Sequence, residues 1–373
     1  MTAYEIFHYS FFASLYLLFS CSKKQPPGFG TALALWSSLV ALLGLIFSQV
    51  STNLSNSHTA SASFFYQVSG TWSNHEGSLL LWSSILSFYG FLLWARPKHE
   101  FVFCRATFTG NFLKKAASST PPVIANYGCH NLQATYVLIF LFFTLFLVVS
   151  SDPFLRNLFV CTESLAESNP VLQDPILAIH PPCVYAGALA SAIVFVLSIS
   201  KMKKAVLSFY TNRRHSGLTQ SWVNTRIYVE GREALRTWLL TSWVFLTIGI
   251  MLGSWWAYHE LGWGGWWFRD PVENASFLPW LLLTAAIHSI GLPKLEPWTS
   301  SLGILTFLSV VLGTFTIRSG LLSSVHSFAT ADNRGLLLGW FLLFLVSLSL
   351  ALLLEIRGQG TEDCTVKASP SCR

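Results

Sequence analysis

Nine apolar runs restrict this chain more than any other feature, at roughly 4–20, 30–48, 79–96, 135–150, 183–200, 237–257, 276–292, 302–317 and 336–355. A hydrocarbon core about 30 Å thick takes about 20 residues of helix, fewer where flanking side chains reach the interface. Backbone in lipid has no water to bond, so spanning segments of this length are helices that satisfy their own N–H and C=O groups. The sequence predicts an all-α polytopic membrane bundle of about nine transmembrane helices. It forms one domain over residues 1–355, followed by a short polar tail, 356–373, on the inner side. Charged residues make up 11% of the 373, against about 25% in a soluble domain. A water-soluble globule, a disordered chain and a secreted disulfide scaffold are excluded.

Alternating the nine spans sorts the 23 Lys and Arg sharply. Only Arg156, Arg269, Arg318 and Arg334 fall on one side, and all the others fall on the opposite side. Positive charge concentrates on the inside of membrane proteins, so the N-terminus is expected outside and the C-terminus inside. The basic inner loops 97–134 and 201–236 suit a surface of anionic headgroups. No basic n-region or Arg-rich leader precedes the first run, which predicts no cleaved signal or import presequence. That suits a bacterial inner-membrane protein or one made inside an organelle. The seven cysteines form no CxxC and no CxxCH haem-attachment motif.

The expected outer loops, 49–78, 151–182, 258–275 and 318–335, hold His75, His180, His259 and His326 among many aromatic residues. Six of the 15 tryptophans fall between 255 and 280, inside the segment 253–280. Trp263, Trp266, Trp267 and Phe268 sit there on a glycine-rich loop, which reads as a platform for a large planar ligand. An interfacial aromatic belt is the alternative. Asp270-Pro271, followed by Glu273-Asn274, reads as a helix start, with acids at the positive end of the dipole. His180-Pro181-Pro182 is expected just before a helix, and Arg318-Ser-Gly320 leads to His326 on the same face. Neutral imidazoles on both faces of a porphyrin give bis-His iron ligation. His288, about 18 Å into its span at 1.5 Å per residue, is an intramembrane ionisable group and so a functional candidate. The alternative for it is a neutral ring bonded to a neighbour. His75 and Glu76 are expected to cap a helix or bond the platform loop. Phosphate-cradling, nucleophile-elbow, zinc-protease and nucleic-acid-reading motifs are absent.

The Trp-rich segment resembles the WWD signature of membrane haem-handling proteins. With Trp72-Ser-Asn-His-Glu-Gly-Ser-Leu-Leu-Leu-Trp82, His180-Pro-Pro and Arg318-Ser-Gly…His326, the chain resembles the CcmF family, the haem lyase component of cytochrome c maturation. The resemblance implies that His180 and His326 ligate haem at the outer face and that Trp263 to Asp270 form the haem-handling segment. It also implies that His288 is one ligand of a b-type haem whose second imidazole comes from a partner chain. Covalent thioether attachment of haem to apocytochrome c would be the activity. Partners implied are a C-terminal CcmF-type chain, a haem chaperone, an apocytochrome c-presenting subunit, apocytochrome c, the lipid membrane and quinol, with no nucleic acid.

The chain resembles the split, N-terminal CcmF protein of plant mitochondria, which implies the mitochondrial inner membrane, with a bacterial inner membrane as the alternative. A haem exporter and a non-catalytic assembly scaffold are the rival functions. Arg269 departs from the family pattern, which has tryptophan there. One C-to-U change separates the codons, so the working protein is expected to carry tryptophan. Peptide mass spectrometry still showing Arg269 would refute that expectation.

Overall fold

The computed structural model describes residues 32–39, 64–73, 75–95, 122–150, 174–212, 231–260, 266–322 and 332–367, with Tyr9, Phe12, Tyr16 and Gly262. Every regular element among them is helical. They are α1 (Phe64–Ser73), α2 (His75–Ala95), α3 (Pro122–Ser150), α4 (Pro175–Asn212), α5 (Arg232–Glu260), α6 (Pro271–Ser289), α7 (Glu296–Arg318) and α8 (Asp332–Lys367), with a single 3₁₀ turn, Pro293–Leu295, before α7.

Among the described residues, six stretches are long and apolar enough to cross a membrane: His75–Trp94, Leu132–Ser150, Pro175–Val206, Arg232–Glu260, Glu296–Arg318 and Arg334–Glu355. Each overlays one of the nine runs. The run 276–292 becomes α6, which carries Glu273, Asn274 and His288 and is not among the six. Residues 32–39 of the second run are helical and meet α2, where Ser84 Oγ donates to the Ser38 carbonyl. The first run is described at three positions only.

The central helix is α4, with 78% of its span buried inside the bundle, against 33% for α5 and 28% for α8. Leu189, Ile193 and Phe195 form the middle of the core, and Phe195 meets Phe307 of α7 at 5.3 Å. Lipid tails give apolar helices no hydrophobic reason to associate, so membrane helices rely on close approach through small residues. The α4–α5 pair is built that way: a Cβ on Gly187 would lie 2.7 Å from Leu246, and one on Gly249 would lie 2.7 Å from Val184. Val244, Ile248, Met251 and Trp255 form the outward stripe of α5, at the i, i+4, i+7 spacing of one helix face.

Hydrogen bonds fasten α5 to α6. Trp243 Nε1 donates to Thr284 Oγ1 at 2.9 Å, and Trp280 Nε1 donates to Thr247 Oγ1 at 2.8 Å. The two indoles stack at 6.0 Å between these bonds. This reciprocal clasp holds the two helices that carry the Trp-rich segment. Of that segment, 253–260 belongs to α5 and 271–280 to α6, leaving 261–270 as the connection. At the opposite end of the bundle, buried Lys201 on α4 meets Glu296 at the start of α7 at 2.8 Å.

Two helix boundaries differ from the sequence reading. Helix α4 begins at Pro175 rather than near 183 because Asp174 caps it, its Oδ1 accepting from Ile176 N at 2.6 Å and Leu177 N at 3.1 Å. Proline fits the first turn, where its missing N–H is not needed. Helix α8 continues past 355 to Lys367, so the start of the polar tail is helical.

Candidate functional site

A cavity of about 390 Å³ opens among α1, α2, α4, α5, α6 and α7. Its chemistry comes from His180, Trp72, Trp82, Trp256, Trp267 and Arg318, set among aliphatic neighbours such as Val184, Leu246 and Val310. An apolar chamber of a few hundred Å³ with a few converging polar groups is the usual form of a small-molecule or cofactor site.

His180 stands in the second turn of α4 rather than ahead of the helix. Its Nδ1 lies 2.8 Å from the carbonyl of Gly249 on α5. A carbonyl only accepts, so Nδ1 carries the proton and the lone pair of the neutral ring resides on Nε2. This second partner fixes tautomer and ring orientation, as it does for metal-binding histidines generally. The ring also packs against α5, where a Cβ on Gly253 would come within 2.5 Å of its Cε1. Gly249 and Gly253, one turn apart, therefore supply the acceptor and the clearance.

The two prolines after His180 lie within α4. Proline donates no N–H, so Pro182 deprives the Ala178 carbonyl of its helix partner four residues on. Trp72 supplies the replacement, its Nε1 donating to Ala178 O at 3.2 Å. The indole that lines the cavity thus also repairs the break in the turn carrying His180.

Arg318 ends α7 and is 6% exposed. Its Nη1 donates to His75 Nδ1 at 2.7 Å and its Nη2 to Ser78 Oγ at 3.1 Å, while its guanidinium carbon lies 5.7 Å from the Trp82 ring centre. Beside it, Arg334 bonds Glu76 Oε1 at 3.3 Å and the Ser150 carbonyl at 3.2 Å. Of the two readings of His75 and Glu76, bonding to the platform loop is not what the described residues show. Both instead tie the start of α2 to arginines more than 240 residues away. A third polar junction joins α4 to α5, with His259 Nδ1 3.5 Å from Asp174 and 3.1 Å from Glu260.

The helix start at Asp270-Pro271 is as the sequence predicts. Asp270 accepts from Val272 N at 3.0 Å in a complete capping box with Glu273. Glu273 Oε2 in turn receives Asp270 N at 3.2 Å and Phe268 N at 2.9 Å. These N–H groups converge because Arg269 takes a left-handed φ of 61°, rare for any residue but glycine. Both neighbouring carboxylates are thus engaged by backbone donors, and the exposed Arg269 forms no ion pair among the described residues.

Of the expected platform, Trp266, Trp267 and Phe268 are all exposed, and only Trp267 lines the cavity. Trp266 stacks on Tyr258 at 6.0 Å, and Trp267 meets Phe277 edge-on at 5.3 Å. Trp263 and His326 lie outside the described residues. His288 is in the last turn of α6, exposed on the outward face that includes Phe277 and Leu281. Because α6 starts at Pro271, His288 is about 26 Å along it at 1.5 Å per residue, near its far end and farther along than the sequence reading placed it. Trp72, Trp82 and Trp256 complete the cavity and were missed as ligand-facing groups. The signal was their position at helix ends of the same expected face.

A family model described as "Cytochrome C assembly protein" matches residues 72–322. A carrot (Daucus carota) protein named "Probable cytochrome c biosynthesis protein" is 36% identical, over 98% of this chain and 95% of its own length. The Arabidopsis thaliana "Cytochrome c biogenesis CcmF N-terminal-like mitochondrial protein 2" is 60% identical over 39% of this chain and 71% of its own. The "Cytochrome c-type biogenesis protein CycK" of Bradyrhizobium diazoefficiens is 39% identical over 85% of this chain, which spans 42% of that protein. A solved structure titled "Cytochrome c Heme Lyase CcmF" superposes with a TM-score of 0.66 at 24% identity, covering 95% of this chain and 51% of that one, and so shares its fold. A polytopic membrane bundle with this match belongs to the cytochrome c assembly family.

Proposed function

We propose that this chain is a subunit of a mitochondrial cytochrome c haem lyase, holding haem at the His180 end of the bundle for attachment to CxxCH cysteines of apocytochrome c. One observation carries the reading: an imidazole with its Nδ1 proton committed to Gly249 faces an indole-lined cavity of about 390 Å³. His180 would supply one imidazole to the haem iron. His326, eight residues further along the chain than Arg318, would supply the other, and Trp263, Trp266, Trp267 and Phe268 would provide aromatic contact to the haem, with Asp270 anchoring the end of that segment. Each attachment adds a thiol S–H across a vinyl C=C, forming one C–S bond and placing the hydrogen on the adjacent carbon, with no net redox change. The chain's task is to fix the haem relative to the thiols.

His288 offers one imidazole to a b-type haem, and the described residues supply no second one beside it. A separate C-terminal CcmF-type chain provides it in this reading, supported by the Arabidopsis relative named as CcmF N-terminal-like. Haem delivery by a chaperone, presentation of apocytochrome c by a further subunit and electrons from quinol complete the proposed assembly. In this reading the chain sits in the mitochondrial inner membrane, supported by the word mitochondrial in the Arabidopsis relative's name, with the N-terminus in the intermembrane space by charge placement.

The test is the visible spectrum of the complex isolated with its partners, comparing His180→Ala and His326→Ala with the unmodified chain. Both variants should insert normally, lose haem from the outer site and stop holocytochrome c accumulation. Full haem occupancy in both would remove the ligand assignment.

A further inference from the structure

The junction between the start of α4 and the end of α5 takes no part in the proposed haem attachment, yet it gathers a mixed set of donor atoms. Asp174 Oδ1 is committed to the helix cap, accepting from Ile176 N and Leu177 N. Its other oxygen, Oδ2, lies 3.5 Å from Nδ1 of His259, and Glu260 Oε1 lies 3.1 Å from the same nitrogen. All three donor atoms are within 4.8 Å of one another. A ring nitrogen carries at most one proton, directed in the ring plane, and two oxygens cannot both receive it in good alignment. The cluster also sets two carboxylates against one imidazole, and no Lys or Arg pairs with any of the three among the described residues. A metal ion answers both features. Zinc bonds of about 2.0–2.1 Å in a tetrahedron set neighbouring donors about 3.3 Å apart. The two separations from Nδ1, 3.1 and 3.5 Å, straddle that value.

We propose that Asp174, His259 and Glu260 form a site for a divalent transition-metal ion of the zinc type, with water as the fourth ligand. The imidazole selects against Ca²⁺ and Mg²⁺, which take oxygen shells. Asp174 is held in place by burial and by its cap, whereas His259 is exposed and opens a route for the ion from solvent. The site stands apart from the haem-binding reading, because none of the three is among the described residues lining the cavity. Its role is structural. Asp174 comes six residues before His180, and His259 comes ten after Gly249. The ion therefore ties together the two helices whose contact orients the His180 ring.

The test uses the complex in detergent, without a polyhistidine tag, dialysed against buffered free Zn²⁺ and analysed for bound zinc by mass spectrometry. The unmodified complex should hold one more zinc per chain than the His259→Gln, Asp174→Asn double variant. Each single change, and Glu260→Gln, should weaken that zinc by roughly tenfold or more, since even an outer partner of a metal ligand is worth that much. Asp174→Asn keeps a good helix cap, so its loss of zinc is not a loss of α4. A purely structural ion pair is separated by a second readout: Zn²⁺ should raise the melting temperature of the unmodified complex and leave that of the double variant unchanged. Equal zinc content in the two complexes would overturn the site, as would a melting temperature that Zn²⁺ shifts equally in both. Displacement of the zinc by a large excess of Mg²⁺ would overturn the assignment of His259 as a donor.

Discussion

His180 and His288 are both singled out by the sequence, and the fold treats them in opposite ways. His180 is enclosed by its own chain: Gly249 accepts its proton, Gly253 makes room for its ring, and Trp72 holds the turn it stands on. His288 is exposed on the outward face of α6, in line with Phe277 and Leu281, in the last turn of its helix. A ligand needs its orientation fixed before the metal arrives. The first histidine has that support within this chain, whereas the second has an open face. On the proposed function, the difference separates a site built within this chain from one that a partner chain would complete.

The comparison is easiest to break at Gly253. Alanine there would place a Cβ 2.5 Å from Cε1 of His180, so either the ring leaves the Gly249 carbonyl or α4 and α5 separate. Overpacking of this kind costs about 1–3 kcal/mol. We expect Gly253→Ala to lower the thermal stability of the purified complex by that amount and to change the axial-ligand spectrum of outer-site haem. An unchanged spectrum with unchanged stability would show that the clearance under the ring is not needed.

What the sequence made legible follows from how far apart the interacting residues are. The helix start at Asp270 was legible because its capping box closes within four residues, through Val272 and Glu273. Six of the spans were legible from apolar length alone. The start of α4 was not, because proline after His180 reads as a helix boundary, and it takes Trp72, 106 residues away, to make the interrupted turn tolerable. The pairing of Arg318 with His75 spans 243 residues and leaves no local pattern. The platform was partly misjudged for a related reason. Trp266, Trp267 and Phe268 sit together in sequence, yet Trp72, Trp82 and Trp256, from separate helices, form more of the cavity wall.

A milder probe separates support for His180 from mere packing. Trp72→Phe keeps an aromatic wall but leaves the Ala178 carbonyl without the donor that Pro182 cannot replace. Loss of one such bond costs about 1 kcal/mol, so the complex should lose that much stability and bind outer-site haem a few-fold more weakly. Replacing Pro182 with alanine in the same variant restores a backbone donor for Ala178 and should recover most of the loss. A double variant no better than Trp72→Phe alone would mean that the indole acts only by filling space.

The smallest effect belongs to His288, and it decides whether the contrast between the two histidines is real. Its ring is exposed and no hydrogen bond to it is among the described contacts, so His288→Ala should alter the stability of the isolated chain by no more than about 0.5 kcal/mol, as for ordinary surface positions. It lies at the end of α6 away from Glu273 and Trp267, which border the cavity, so outer-site haem should bind unchanged. Only with the C-terminal partner present should the variant differ, by losing the absorption of a b-type haem. If His288→Ala instead weakened binding at the His180 cavity in the absence of any partner, the two sites would be coupled through α6, and treating one as self-contained and the other as shared would no longer hold.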